Sequence, residues 1–416
     1  MERPLEILGV SVSAGGLDAW PDREPTFALN VGGWALGADL VRFVHDAEVL
    51  WEVPVGLERP DVAERHLGVE DSGRPGFYAT LSSLPLPREF ELHVVTGGGR
   101  EVGEIRGRRA PLPPGADARP RPLMLTGFSR TGSNLVLRML GAHPEIAAYR
   151  PFQYEPRVLA YWLDVFRELT EPAAYLRQVT SQGRIAERGW WLGIQPPAPR
   201  PLFDPELQRA LALDTVEDAA DFCRRRVARV YERIATAIDR PGARLFAEKH
   251  LPGAVPTIAW ELYPDAREVF LVRDFRDMVA SILAWRARFG GDWFGHAAAA
   301  DDEAFVRGFE RLATNLVASW RRRSGEAHLL RYEDLLTEPD RAVAALVAYL
   351  GVGDAPAARD AMVASITERS EQSEGYRTSA SAEDSIGRWR RDLSPAIARA
   401  AEQAFAPALV EFGYRG

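Results

Sequence analysis

LMLTGFSRTGSNLVLRML, residues 123–140, holds the decision about the fold. Leu123–Thr126 is a short apolar run that predicts a strand, and Leu135, Val136, Met139 and Leu140 share one face of a period-3.6 pattern that predicts a helix. Between them, Gly127 and Gly132 have the G-x-x-x-x-G spacing with which backbone N–H groups curl round an anion at a helix N-terminus. After Gly132 come Ser133 and Asn134, where a loop that holds a nucleoside triphosphate needs Lys-Ser/Thr. The loop's own cation is Arg130, two residues before Gly132, and no strand ends in an Asp suited to magnesium. On these residues alone, an ordinary glycine turn with a Ser or Thr helix cap is the alternative reading.

Toward the C-terminus the same unit recurs. Leu245–Ala247 leads into HLPGAVPTIAWELY, Val269–Val272 into a helix carrying Met278, Val279, Ile282 and Leu283, and Leu329–Leu330 into a helix opened by Pro339. Four strand–helix units predict an α/β fold over residues 123–416, a P-loop-like and mostly parallel sheet flanked by helices. Ligands in such sheets sit beyond the carboxyl ends of the strands. Toward the N-terminus, residues 1–110 predict a small all-β, sandwich-like accessory domain. Its strands are Leu5–Val12, Thr26–Val31, Val41–Val55, Phe77–Leu81 and Glu89–Ile105, the last folded into a hairpin on Gly97–Gly99. Residues 111–122, PLPPGADARPRP, carry five prolines in twelve and predict a stiff interdomain linker.

Composition narrows the function. The 416-residue chain has a net charge of −8, and its single cysteine, Cys223, excludes an intrachain disulfide and a Cys-x-x-Cys site. Residues 1–110 hold 11 Arg against 18 Asp+Glu, a net of −7. An acidic chain without a basic stripe is a poor partner for a nucleic acid polymer. No apolar run reaches the ~20 residues that span a bilayer, and MERPLEILGVSVSAGG does not read as a secretory signal, so a cytoplasmic protein is expected. Of 51 basic residues 50 are Arg; an Arg-rich codon bias accounts for the ratio, and Lys249, the one Lys, is either a chance survivor or a candidate for a role that suits a compact, titratable charge and not a planar fork.

A second motif joins the first. YPDAREVFLVRDFRDMVASILAW, residues 263–285, places Arg273 at a strand end and Ser281 eight residues on, about 12 Å of helical rise, so that the two can flank an anion. A salt bridge from Arg273 to Asp274 or Asp277 is the competing reading. Together, G-F-S-R-T-G-S-N and V-R-D-x-R-D-x-x-x-S resemble the two signatures of sulfotransferases that use 3′-phosphoadenosine 5′-phosphosulfate (PAPS), nearest in motif to tyrosylprotein-type and bacterial members. FAEKHLPGAVPTIAWELYP (246–264) resembles that family's Glu-Lys-Thr-Pro stretch, with Lys249 on the lysine. LLRYEDLLTEP (329–339) resembles its Leu-Arg-Tyr-Glu-Asp-Leu, and SIGRWRRDLS (385–394) the late Gly-Arg-Trp stretch that closes over the nucleotide.

The resemblance implies a PAPS-dependent enzyme that releases adenosine 3′,5′-bisphosphate. It puts the 5′-phosphosulfate on Arg130, Thr131, Gly132, Ser133 and Asn134, the 3′-phosphate on Arg273 and Ser281, and Arg388 in the closing stretch. Sulfuryl transfer rests on positioning and charge stabilisation, with no obligatory metal. Arg130 and Lys249 are then the cations for the leaving phosphate, and Lys249 the donor to the bridging oxygen. For the general base, tyrosylprotein sulfotransferases carry a Glu where an ungapped comparison finds Arg150-Pro151. Glu155 is the nearest carboxylate downstream, either as that base or as a partner of Arg150 or Arg157, and His250 is its competitor. The acceptor, a glycan or small-molecule hydroxyl, leaves no readable motif, although Trp162, Trp190, Trp191, Trp285 and Trp293 are candidate pocket aromatics. A P-loop phosphotransferase and a non-catalytic nucleotide-fold binding protein are the alternatives.

Overall fold

Strand alternation builds the N-terminal sheets: along Glu89–Thr96, Phe90, Leu92 and Val94 are buried while Glu89 and Glu91 face solvent. The computed structural model describes residues 4–19, 27–46, 48–66, 74–112, 119–149, 155–171, 205–253, 256–290, 294, 296–368 and 378–415. The chain divides into two units, one of residues 1–116, 161–226 and 256–264, the other of 117–160, 227–255 and 265–416.

In the first unit, β1 (Leu5–Val12), β2 (Gly16–Ala19), β3 (Ala28–Trp34), β4 (Leu40–His45), β5 (Glu48–Pro54), β6 (Gly76–Ser82), β7 (Glu89–Thr96) and β8 (Glu101–Arg109) form two antiparallel sheets, β1-β8-β7-β4-β5 and β2-β3-β6. Leu29 and Val31 from one sheet share a buried core with Phe43, Leu92 and Ile105 from the other, which gives the expected sandwich. The run Val41–Val55 is two strands, β4 and β5, paired as a hairpin. β2, only four residues long, was too short for its pattern to declare itself. At the end of β8, the fully buried Arg109 forks onto Glu261 (Nη2–Oε1 2.6 Å, Nη1–Oε2 3.0 Å), and the Leu112 amide donates to the same carboxylate at 3.0 Å.

The second unit holds the parallel sheet. β9 (Arg121–Gly127), β10 (Ile146–Ala148), β11 (Leu245–His250), β12 (Arg267–Val272) and β13 (His328–Arg331) run parallel in the order β10-β11-β9-β12-β13, with β9 central. All but the half-buried edge strand β13 are mostly buried along both faces, as a parallel sheet requires. Leu123, Leu125, Val269 and Leu271 point into one core with Val136 and Leu140 of the helix Ser133–Ala142 and Leu346 of the helix Pro339–Leu350. Phe270 and Val272 point into the other, with Met278 of the helix Phe275–Phe289 and Phe405. The α/β fold with an antiparallel N-terminal region is as expected.

Two further details differ from the sequence reading. β10 is a three-residue edge strand, below the length at which a pattern is visible. The helix expected from HLPGAVPTIAWELY is only Ala259–Leu262, because Pro252 and Pro256 break the stretch before it. Residues 113–118 of the proline-rich segment lie outside the described residues. Among the described residues, no helix is long and apolar enough to cross a membrane.

Candidate active site

β9 delivers the chain into the glycine loop at the middle of the sheet's carboxyl edge. Phe128 anchors the loop from below, its ring 5.9 Å from Phe275 and 6.1 Å from Phe405. The buried Thr131 hydroxyl donates to the Phe128 carbonyl at 2.7 Å and so closes the turn on itself. Arg130 (φ 68°) and Gly132 (φ 95°) are both left-handed. At 132 only glycine fits, since a Cβ would run into the Tyr332 ring. Gly132 is also the N-cap, and no side chain caps the helix Ser133–Ala142 there, so its first N–H groups open toward the loop. The turn is therefore not the Ser/Thr-capped one of the alternative reading.

The second motif meets the first. Arg273 follows β12 and donates from Nη2 to the Ser385 carbonyl (2.6 Å) and from Nη1 to the Arg130 carbonyl (3.2 Å), with its guanidinium 4.8 Å over the Tyr332 ring. Its Nε is buried with no hydrogen-bond partner among the described residues. Neither Asp274 nor Asp277 takes the fork: Asp274 pairs with Arg276 at 2.8 Å. Ser281, two turns into its helix, accepts from Arg130 Nε at 3.2 Å and lies 3.1 Å from the Thr378 hydroxyl. Arg388 donates to that same hydroxyl at 2.9 Å and pairs with Asp392 at 2.7 Å. Arg130, Gly132, Arg273, Ser281 and Arg388 are thus brought together. Arg130 lies 4.6 Å over Trp285, and burial, reinforced by Arg273 and Arg388, holds it down to about 10.

Lys249 enters from β11. Its ammonium donates to Asn134 Oδ1 in the helix's first turn, beside Ser133, and to Glu155 Oε1 at 3.1 Å. Burial depresses the Lys249 pKa below the ordinary lysine range, Glu155 pulling it back up while Arg157 and Arg130 push it further down. Glu155, partly exposed, also reaches Arg157 at 3.4 Å. The segment bearing Glu155 is fixed from β11 as well, because Glu248 accepts from the Val158 and Leu159 amides at 2.7 and 3.1 Å. His250 is not part of this cluster. Strand alternation turns it to the opposite face of the sheet from Lys249, where it is buried 3.6 Å from Glu248.

The family model of the sulfotransferase family matches residues 122–356. The chain belongs to the sulfotransferase family. Among solved structures it is similar to a sulfotransferase domain from the curacin biosynthetic pathway, at 16% identity over 69% of this chain and 98% of that one (TM-score 0.39). It is also similar to mouse sulfotransferase SULT7A1 complexed with PAP, at 11% identity over 71% and 86% (TM-score 0.39). A third is sulfotransferase STF1 from Mycobacterium tuberculosis, at 19% over 69% and 76% (TM-score 0.37). No curated protein matches the chain.

Several residues of this candidate site escaped the sequence reading. Tyr332 walls both Gly132 and Arg273, and its only signal was its place in LLRYEDLLTEP. Thr378 carries no motif of its own, and Ser385, though it opens SIGRWRRDLS, gave no sign that its carbonyl meets Arg273. Of the tryptophans, Trp285 stacks on Arg130, Trp162 packs on Phe222 in the first unit, and Trp190, Trp191 and Trp293 lie outside the described residues, as do Arg150 and Pro151. Chemically the arrangement gathers three guanidinium groups and one ammonium near a helix N-terminus, a set that can hold an anion, with a carboxylate, Glu155, at one end.

Proposed function

We propose that this sulfotransferase moves a sulfuryl group from PAPS to a hydroxyl of a glycan or small-molecule acceptor by in-line displacement, releasing adenosine 3′,5′-bisphosphate. The observation that carries the proposal is the convergence of Arg130, Lys249, Arg273 and Arg388 on a glycine loop that has Ser133-Asn134 after Gly132 instead of a triphosphatase's Lys-Ser/Thr. The buried Arg273 Nε, which has no hydrogen-bond partner among the described residues, and the depressed Arg130 fit a multiply charged anion that would relieve both. The donor supplies, when bound, an activated sulfuryl group on a phosphate leaving group.

The chain's residues divide that work. Arg273, Ser281 and Arg388 would hold the 3′-phosphate, and the N–H groups from Thr131 to Asn134 the 5′ end. Arg130, which touches Ser281 from within the loop, serves both ends. Lys249 offsets the charge that develops on the leaving oxygen, and its burial makes it the readier proton donor. Glu155, held beside Lys249, takes the proton of the acceptor hydroxyl. In this reading residues 123–416 are the catalytic domain and residues 1–110 an accessory β-domain.

The test is a transfer assay with PAPS labelled in its sulfuryl group, against panels of oligosaccharides, phenols and aliphatic alcohols. The expected result is label on a hydroxyl product, equal release of the bisphosphate and no magnesium requirement. Absence of transfer to every class, together with magnesium-dependent ATP turnover, would establish a phosphotransferase instead.

A further inference from the structure

Asp277 has no task within its own helix. The N-cap there is Asp274, whose side chain already accepts from the Arg276 amide. Yet Asp277 is wholly buried, and burial pushes its carboxyl above the usual carboxylate range. An acidic group is held there only by good hydrogen bonds. Both of its oxygens turn toward a segment more than a hundred residues away: Oδ2 accepts from the Gly387 amide at 2.6 Å and Oδ1 from the Trp389 amide at 2.8 Å. The two donors flank Arg388. Gly387 is left-handed (φ 67°) and Arg388 right-handed (φ −61°), the alternation that points successive N–H groups at one anion. Two residues earlier, the Ser385 carbonyl accepts from Arg273 Nη2. The Trp389 ring also meets two guanidinium groups, Arg276 at 4.2 Å and Arg390 at 4.7 Å.

We propose that Asp277 is a positioning residue for donor binding: its carboxylate clasps the backbone at Gly387 and Trp389 so that Arg388 and the Arg273–Ser385 contact stand preformed at the 3′-phosphate end of the site. This rests on the donor reading above. Asp277 does not touch the nucleotide. It fixes Arg388, which holds Thr378, which holds Ser281. The clasp therefore matters for a ligand that carries a 3′-phosphate and little for one that does not.

Asp277→Asn keeps the shape but turns one acceptor oxygen into an N–H that faces a backbone N–H. Titration calorimetry compares adenosine 3′,5′-bisphosphate with adenosine 5′-monophosphate, which differs only by the 3′-phosphate. Loss of a charged hydrogen bond predicts bisphosphate affinity down about tenfold or more, monophosphate affinity close to wild type, and faster amide exchange across residues 385–389. Gly387→Ala attacks the same clasp from the other side, through its left-handed φ and a Cβ 3.0 Å from Arg390 Nη1, and should give the same selective loss. It decides by the same comparison where Asp277→Asn does not fold. Equal weakening of both nucleotides, or unchanged bisphosphate affinity, overturns the proposal. A wild-type protein that binds no bisphosphate overturns the donor reading itself, and this proposal with it.

Discussion

At the scale of the residue, Lys249 concentrates the chemistry. It is the one lysine among 51 basic residues, and it stands where burial, Asn134 and Glu155 meet. If it offsets charge that grows on the leaving oxygen, it contributes more in the transition state than with the donor at rest. Lys249→Ala should then lower kcat about 100- to 1000-fold, with donor affinity little changed. Lys249→Arg should recover little, since a planar fork replaces a compact donor. Single-turnover sulfuryl transfer by wild type and both variants measures this, and near-normal transfer by the Arg variant contradicts it. The same burial has a pH signature. Lys249 lies below its ordinary value and Arg130 at about 10, so the folded chain releases these protons earlier than the unfolded chain does. Both groups oppose folding while charged, and their opposition fades as pH rises through those folded values. Binding has the reverse sign: an anion needs the charges, so bisphosphate affinity should fall as pH rises toward 10, with proton uptake on binding in that range. Calorimetry in buffers of different ionisation enthalpy reads both. An affinity flat across the alkaline range would contradict the placement of these cations at the ligand.

Elements convert that chemistry into stability. Gly132→Ala forces a left-handed L-residue, about 1–2 kcal/mol, and displaces Tyr332, about 1–3 kcal/mol more. Because Tyr332 also carries the Arg273 guanidinium, nucleotide affinity should fall with the melting temperature. In the first unit, burial would push the Glu261 carboxyl up, but the Arg109 fork and the Leu112 amide outweigh it and hold it below the usual range. Arg109→Ala leaves that carboxylate without its partner and should destabilise the fold by about 3–5 kcal/mol, read by denaturant unfolding. These elements also show what a sequence declares. β9, the glycine loop and the helix Ser133–Ala142 were legible because apolar runs, paired glycines and a period of 3.6 coincide within 18 residues. β2 and β10 were not, since four and three residues hold too few alternations. The helix after β11 was overread because apolar spacing across HLPGAVPTIAWELY outweighed its two prolines.

Across the whole molecule, the site is legible where one strand end supplies both position and chemistry. Arg130, Lys249 and Arg273 each follow or end a strand of one parallel sheet, parallel topology alone gathers such residues at one edge, and Ser281 is carried there by the helix that follows β12. Thr378 was hidden, and Ser385 and Asp277 were visible only as motif positions without their partners, because those contacts depend on a return of the chain from its C-terminal region. His250 was weighed as a base because adjacency in sequence suggests adjacency in space, whereas a strand turns neighbours to opposite faces. The central claim is that the cations gathered beyond β9, β11 and β12 form a site for a 3′-phosphorylated adenine nucleotide. Thermal unfolding in adenosine 3′,5′-bisphosphate, set beside ATP with magnesium, tests it most directly. The account predicts that the bisphosphate at a hundred times its Kd stabilises the protein by about 2.7 kcal/mol and that ATP does markedly less at the same concentration. An unmoved transition with the bisphosphate, alongside a clear upward shift with ATP and magnesium, would contradict it.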